Sequence, residues 1–361
     1  MTMDQGLVPQ GIALYRAGKI NEAESSYRRA LDAGDNSASS MLAQLLVETG
    51  RTQEAEVVYQ EAIAHGAEEL LVEYGNLLAD QGDRQPEAEQ IYRWAMSIGD
   101  INAYANAGLL MDHADRKDEA LFLYRQGASL GDAIAQRNLG VLLGEMGHVV
   151  DAEHELTKAI EQGDVMSLVS LGDLYLDIGL VVDAQACYRK AIEHHNLDQA
   201  RLHLSILLAD EFMDVENARE QLEACERSGF DPPDTHYRLG LLLLDAGNVK
   251  AAENRLVSAI ALGCDEARVE YAAILVSRRM VNEAEEQLGL AVNRGVERAG
   301  AKLGRLLILR GKYVEAERVL GAAVEQDGEP HVALGLLYAL EKQGKLDEAE
   351  RVRRRALGGS E

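Results

Sequence analysis

Residues 138–164 read NLGVLLGEMGHVVDAEHELTKAIEQGD, and residues 170–196 restate the pattern as SLGDLYLDIGLVVDAQACYRKAIEHHN. Each stretch opens on an apolar run that contains a glycine and continues into a second run that contains an alanine. Apolar residues recur in both runs at spacings of three and four, which is typical of an amphipathic helix. A further glycine, Gly147 or Gly179, separates the two runs and suits the residue just past a helix end. Each stretch therefore predicts a helical hairpin.

The alanine of this hairpin forms a column along the chain. It recurs eleven times at intervals of 32 to 34 residues, as Ala23, Ala55, Ala88, Ala120, Ala152, Ala184, Ala218, Ala252, Ala284, Ala316 and Ala349. Most of these alanines are followed four residues later by a tyrosine or leucine, and seven residues later by a small residue. These positions share one face of a helix, so the small residues let a neighbouring helix approach closely. Repetition with this period predicts stacked hairpins that are stabilised by their neighbours.

The pattern resembles the tetratricopeptide repeat (TPR). The small residue at the family's position eight is matched by Gly140, Gly172, Gly240 and Gly304, and the alanine at position twenty by the column. The repeat is somewhat shorter than the family's, and Gly-Asp replaces the usual proline at the exit, as in the SEL-like relatives. The resemblance implies an all-α fold, a right-handed α-solenoid superhelix of about eleven helix-turn-helix repeats.

A single repeat array is expected over residues 1–361, because no linker or low-complexity tract interrupts the pattern. The repeats are expected to start near residues 4, 36, 68, 101, 133, 165, 198, 233, 265, 297 and 330. In the last repeat Arg353 stands four residues after the column alanine, where the other repeats have a tyrosine or leucine. The final helix is therefore expected to be a solvated cap.

The charge balance limits the partners. The chain has 61 acidic and 36 basic residues, for a net charge of −25. Such a charge disfavours nucleic acid and anionic membranes and favours basic partners. The three cysteines lack metal-ligand spacing, and the N-terminus lacks the pattern of a signal peptide, so a cytoplasmic location is expected.

Motifs for catalysis are weak. The segment GVERAGAK from Gly295 departs from a phosphate loop because Lys-Ser/Thr does not follow its second glycine. Cys187 and His194 share a helix face, but no third residue is evident to orient them. His194, His195 and Asp198 are better explained as a solvated turn than as a metal site. We therefore expect that the protein is not an enzyme and that it binds no cofactor and no metal.

The resemblance also implies that positions two, five, six, nine, twelve and thirteen of each first helix face a concave groove. The candidate partner-binding residues are Asn76, Asp80, Asn102, Asn106, His113, Arg137, Asn138, Glu145, Ser170, Asp173, Asp177, His203, Asp210, Arg238, Asp245, Arg298, Lys302 and Arg305. Position thirteen is acidic in most repeats, although a carboxylate near a helix C-terminus opposes the helix dipole. These carboxylates either serve a cationic partner or contribute to general surface acidity.

Amides mark the centre of the expected groove. Asn106 and Asn138 share position six, where some TPR proteins contact the backbone of an extended peptide, and an amide matches a peptide group as donor and acceptor. The alternative is polar filler, because the amides do not continue through the other repeats.

The charge changes sign near the C-terminal end. Residues 1–296 hold 24 basic and 50 acidic residues, whereas residues 297–361 hold 12 and 11. Arg298, Lys302 and Arg305 are spaced to share one face of the expected helix. They could hold a carboxylate or phosphate, or they could pair with Glu266 and Glu270 of the preceding repeat. The lysine–asparagine clamp by which some TPR proteins bind chaperone tails is not evident.

These observations predict a non-enzymatic scaffold or adaptor. It would bind a basic protein or peptide segment in an acidic concave groove, as a monomer or weak dimer. The alternative is a regulatory sensor whose superhelix changes pitch when a peptide binds and so controls a separate effector.

Overall fold

The computed structural model describes residues 6–230, 232–327 and 330–356. Within these ranges the regular structure is helical, with 22 α-helices and two short 3-10 turns. The repeat start expected near residue 4 lies outside the described residues.

The helices follow one another with short connections. From the N-terminal end they are α1 (Leu7–Arg16), α2 (Ile20–Asp32), α3 (Ala38–Glu48), α4 (Thr52–Ala64), α5 (Leu71–Ala79), α6 (Gln85–Ser97), α7 (Asn102–His113), α8 (Lys117–Ser129), α9 (Ala133–Glu145), α10 (Val149–Glu161) and α11 (Ser167–Asp177). They continue as α12 (Val181–His195), α13 (Asp198–Asp210), α14 (Val215–Ser228), α15 (Pro233–Asp245), α16 (Val249–Ala261), α17 (Ala267–Ser277), α18 (Val281–Asn293), α19 (Ala299–Leu309), α20 (Tyr313–Asp327), α21 (Pro330–Lys342) and α22 (Leu346–Ala356).

The chain divides into two compact units, Met1–Ala191 and Ile192–Glu361. In each unit consecutive helices pack as hairpins, such as α9 with α10 in the first unit and α15 with α16 in the second. We call the first, odd-numbered helix of each hairpin the A helix and the second the B helix. The prediction of an all-α helical-repeat solenoid is confirmed. None of the helices in the described ranges has both the length and the apolar character needed to cross a bilayer.

The alanine column forms the core of the hairpins. Ten of its eleven members are completely buried, and Ala349 is 3% exposed. A glycine found in most A helices explains how closely the two helices of those hairpins pack. A Cβ atom on Gly172 would lie 2.4 Å from Cε1 of Tyr188, and one on Gly140 would lie 2.6 Å from Cγ of Leu156. The backbone of the A helix therefore rests directly on the large side chain of the B helix.

Glycine and aspartate end and begin the helices largely as their spacing predicts. Gly147 has φ 79°, and the N–H of the next residue, His148, donates to the Leu143 carbonyl over 2.8 Å. This left-handed residue and its hydrogen bond close the end of α9. At the start of the same helix, the Asp132 carboxylate accepts from the Ile134 N–H over 2.9 Å.

Gly82 also lies between the two helical runs of its repeat, but it departs from this pattern. Gly82 has no positive φ and instead begins the 3-10 turn Gly82–Arg84. The next helix starts at Gln85 with Pro86 in its first turn. Gly82 lies six residues before Ala88, whereas Gly147 and Gly179 lie five residues before their column alanines, so Gly82 is one residue out of register.

The close glycine contact can be tested by adding one methyl group. We expect Gly304→Ala to lower the urea midpoint, because its Cβ would lie 2.3 Å from Cγ of Leu320. Overpacking of this kind costs about 1–3 kcal/mol, offset in part by the better helix propensity of alanine.

Gly289→Ala is the matched control in the same unit. Gly289 lies inside α18, and a Cβ there would meet nothing within 4 Å. This substitution should leave stability unchanged or raise it by up to about 1 kcal/mol. Equal effects of the two substitutions on the urea midpoint would contradict the packing argument.

Candidate functional site

The A helices form a surface within each unit. Neighbouring A helices contact one another directly, as α5 with α7 and α7 with α9 in the first unit, and α19 with α21 in the second. Equivalent positions of adjacent repeats therefore lie in rows across these helices. The side chains that project from the rows are the candidates for partner binding.

The predicted position-thirteen residues lie at the C-terminal ends of A helices. His113, Glu145, Asp177, Asp210 and Asp245 are the last residues of their helices, and Asp80 directly follows α5. All six are exposed.

Two of these carboxylates already have cationic partners. Glu145 pairs with Lys117 over 2.9 Å, and Asp210 lies 3.8 Å from Arg238. Asp80, Asp177 and Asp245 form no ion pair with any residue that the structure describes. These last three carboxylates are therefore the ones that lack an intramolecular counter-charge.

The predicted polar residues at the centre of the groove differ in whether their side chains are already hydrogen-bonded. Asn76 accepts a hydrogen bond from the Tyr92 hydroxyl over 2.7 Å, so its side chain fixes the contact between α5 and α6. The Asn106 amide donates to the Asn102 carbonyl of its own helix over 3.0 Å. Asn138 and Ser170 are half-buried, and their side chains form no hydrogen bond within the described ranges. Asn102 is exposed.

Several other candidates contribute to packing between or within helices. Arg137 donates from Nη1 to both carboxylate oxygens of Asp164, at 2.9 and 3.0 Å. Asp173 accepts from the Tyr188 hydroxyl over 2.6 Å, and burial raises the pKa of that tyrosine above its ordinary value. His203 lies 2.9 Å from the Gln199 amide. Because these groups have intramolecular partners, a ligand would have to displace or share those contacts.

The predicted basic cluster lines a cavity in the second unit. Arg298, Lys302 and Arg305 lie on its wall, and the cavity volume is about 960 Å³. Lys302 pairs with Glu270 over 3.1 Å, which is one of the two partners proposed for it from sequence. Glu266, the other, accepts from the Cys264 thiol instead. Thus Lys302 is held by the preceding repeat.

Arg298 departs from the expected geometry of the cluster. It does not lie within the helix but is the residue just before α19, with a left-handed backbone at φ 63°. The equivalent residues before α3 and α11, Ser37 and Met166, have right-handed φ values of −64° and −66°. An arginine in the left-handed region is strained, and such strain is often found at binding sites.

The cysteines have the properties of packed thiols. Burial raises the pKa of Cys187, Cys225 and Cys264 to about 11 each. Their thiols are therefore protonated at neutral pH, and a protonated thiol is a weak nucleophile. The described ranges contain no group of three or more side chains arranged to hold a metal ion.

Two features of the structure were not predicted from the sequence. Leu109 and Val141 occupy position nine of two A helices and are 41% and 40% exposed, among the polar rows.

The second feature is a set of ion pairs between neighbouring repeats. A basic residue before several B helices pairs with a glutamate of the preceding B helix. These inter-repeat ion pairs are Arg51–Glu24, Arg84–Glu56, Arg116–Glu89, Lys312–Glu285 and Lys345–Glu317, with distances of 2.6 to 3.0 Å. The signal for them was available: each cation precedes a column alanine by four residues, and each glutamate follows one directly.

Comparisons with known proteins agree with the hairpin architecture. A sequence model of the tetratricopeptide repeat family matches residues 8–69 and 301–360. The structure of the human IFIT1 dimer with PPP-AAAA is similar at 15% identity and a TM-score of 0.56, over 96% of this chain and 88% of that one. A tetratricopeptide repeat protein from Parabacteroides merdae is 16% identical with a TM-score of 0.51, over 66% of this chain and 98% of its own. No curated protein sequence matches the chain.

The helical hairpins, their repeated packing and these matches define an α-helical repeat protein. Two segments of the chain, residues 8–69 and 301–360, thus match the tetratricopeptide repeat family. At identities this low the solved structures show the fold alone. Repeats of this family are typical of protein–protein interaction scaffolds.

The inter-repeat ion pairs predict how stability depends on pH. The hydrogen bond from Arg84 is the main cause that holds the pKa of the Glu56 carboxyl below its ordinary value. Because the folded pKa is lowered, this pair stabilises the protein above the unfolded pKa of about 4.3 and loses its effect as pH falls through the folded pKa. We expect Glu56→Gln to lower the urea midpoint at pH 7 and to reduce the loss of stability from about pH 5 to about pH 3.

Glu61→Gln is the matched control on the same helix. Glu61 is exposed on α4 and forms no ion pair with the described residues. Its replacement should leave both the midpoint at pH 7 and the pH profile close to those of the wild type. If Glu56→Gln and Glu61→Gln gave the same profile, the ion pair would not contribute to stability.

Proposed function

We propose that the chain is a non-enzymatic interaction scaffold that binds a basic protein segment along the A helices of its first unit. The binding surface would be an acidic groove whose edge is formed by Asp80, Glu145 and Asp177, which we call the acidic row. His113 occupies the same position of the intervening repeat. The bound segment would be extended or helical, and it would lie across the A helices.

The observation that carries the proposal is the position of the acidic row. Its three members lie at or directly after the C-terminal ends of α5, α9 and α11, where the helix dipole disfavours a negative charge. Each such carboxylate costs about 0.3–1 kcal/mol when exposed. Asp80 and Asp177 receive no compensation from an ion pair with described residues. Local helix stability does not account for them, whereas a cationic partner would.

Side chains beside the acidic row suit a peptide. Asn138 and Ser170 lie half-buried on α9 and α11, and their side chains are free to exchange hydrogen bonds with a peptide backbone. Leu109 and Val141 lie exposed on α7 and α9, where apolar side chains of a partner could cover them. Amides would thus fix the register of the segment, and the apolar pair would contribute buried area.

The net charge of the chain favours a positively charged partner. The chain carries a net charge of −25, so an anionic polymer is repelled at long range and a basic segment is attracted. Human IFIT1 was solved with PPP-AAAA, but the similarity to that structure is a similarity of fold at 15% identity. Attraction between exposed charges accelerates association more than it adds affinity, and salt screens it.

A charge-reversal pair tests the acidic row. We expect Asp80→Lys combined with Asp177→Lys to weaken binding of a labelled lysine- and leucine-containing peptide by about tenfold or more, since attraction becomes repulsion. The measurement is fluorescence anisotropy with the full chain at low and high salt. Wild-type affinity should fall as salt rises, and the affinity of the variant should depend less on salt.

The control is Asp32→Lys combined with Glu161→Lys. Asp32 and Glu161 are also exposed last residues of helices in the first unit without ion pairs to described residues, but they end the B helices α2 and α10. The control therefore changes net charge and helix-end charge equally. If both double variants weakened binding to the same extent, general acidity and not the acidic row would be the cause.

A further inference from the structure

A second surface, on α19 and α21 of the C-terminal unit, has the opposite charge. Its cations are Arg298, Lys302 and Arg305, and we call this set the cationic cluster. The three side chains line one cavity of about 960 Å³, together with apolar groups such as Ile308 and Val332. Glu297 and His331 also line it, so the cavity combines three cations and one carboxylate with apolar side chains.

The charge of the cluster is only partly neutralised within the chain. Lys302 is paired with Glu270 at 3.1 Å. Arg298 and Arg305 are exposed, and they form no ion pair with any residue in the described ranges, although the chain has 61 acidic residues. Some other cations of the unit are paired, as Lys312 is with Glu285 at 2.6 Å. The two arginines therefore retain guanidinium groups that an external anion can reach.

Exposed apolar side chains lie on α19 and α21, the two helices of this surface. Leu309 continues the face of Lys302 and Arg305 on α19 and is 74% exposed. Leu334 and Tyr338 are one turn apart on α21 and are 61% and 44% exposed. The Tyr338 ring is held edge-on at 6.3 Å from Tyr313, with Lys342 Nζ 5.2 Å from its centre. Clustered apolar exposure of this kind beside a polar rim is typical of a protein-binding site.

We propose that this surface binds an acidic peptide segment that also carries apolar side chains. Carboxylates of the segment would accept paired hydrogen bonds from the Arg298 and Arg305 guanidinium groups, which match carboxylate geometry. Its apolar side chains would cover Leu309 and Leu334. The scaffold then has two binding surfaces of opposite charge, one in each unit, and the second surface does not depend on the function proposed for the first.

A peptide fits these observations better than nucleic acid. Residues 297–361 have a balance of 12 basic and 11 acidic residues, so the positive charge is local to the cluster. A nucleic acid strand repeats its charge at every nucleotide and would extend beyond the cluster into an acidic chain. A short acidic segment places its charge only where the arginines are, and its apolar residues have a place on the same surface.

The experiment measures anisotropy of a labelled, C-terminally amidated peptide of glutamate and leucine with the full chain. We expect saturable binding, and we expect Arg298→Gln combined with Arg305→Gln to weaken it by about tenfold or more. A peptide with glutamine in place of glutamate, and one with serine in place of leucine, should each bind more weakly. A single-stranded oligonucleotide and inorganic phosphate should compete poorly.

The matched control is Arg318→Gln combined with Arg351→Gln. Both arginines are exposed in the same unit without an ion pair to described residues, and they line a different cavity of about 490 Å³. This control should bind the acidic peptide within about twofold of the wild type, because it removes the same charge elsewhere. The Asp80→Lys/Asp177→Lys variant should also retain binding, which separates the two proposed surfaces.

Three outcomes would overturn the proposal. The first is equal loss of acidic-peptide binding in both arginine double variants. The second is tighter binding of the oligonucleotide than of the peptide. The third is concentration-dependent dimerisation of the wild type, measured by sedimentation, that the Arg298→Gln/Arg305→Gln variant abolishes, since a second copy would then occupy the surface. Unchanged circular dichroism and unfolding midpoints would show that the variants are folded.

Discussion

The contact between a glycine on the A helix and a large side chain on the B helix sets the geometry of the hairpins. Cβ atoms on Gly11, Gly75, Gly108 and Gly172 would lie 2.4 to 2.5 Å from a tyrosine ring, a distance that no real Cβ atom could keep. Without a Cβ atom, the two helices approach until the ring packs against the backbone. The alanine column is then buried beneath it. Where this glycine is present, one pair of positions sets the distance between the two helices. The other residues of the hairpin can then differ from repeat to repeat.

This packing leaves the outer positions of the A helices available for binding. The core uses the glycine, alanine and tyrosine or leucine positions, so residues at position thirteen can vary without loss of stability from the core. Position thirteen carries Asp80, Glu145 and Asp177 in the first unit and Asp210 and Asp245 in the second, whereas α19 carries Lys302 and Arg305 at other positions. We therefore propose surfaces of opposite charge on one chain, each suited to a different kind of partner.

The sequence predicts the fold well because its signals are local or periodic. The helix period and the end glycines lie within one repeat, and the alanine column recurs from repeat to repeat. Gly82 departs from the pattern because it is one residue out of register, and Arg298 departs because it lies just outside α19. The candidate site is harder to predict, since the roles of its residues depend on contacts over 15 to 30 positions. Asn76 was expected to face a partner but accepts a hydrogen bond from Tyr92. Arg137 was expected to do the same but pairs with Asp164, which no periodicity reveals.

The inter-repeat ion pairs also differ along the chain. They are found in the N-terminal and C-terminal repeats, as Arg51–Glu24 and Lys345–Glu317. In the central repeats the cation is replaced by His148, Leu180, Asp214, Asn248 and Met280. Glu153 then accepts a hydrogen bond from Tyr175 instead of pairing with a cation of the next repeat. Other inter-repeat ion pairs occur in the central repeats, such as Arg255–Glu226 and Arg278–Glu253. Neighbouring repeats are therefore joined by ion pairs along the chain, although the residues that form them differ. Asp177 forms no such pair with the described residues, and this is why we propose it as a contact for a basic partner.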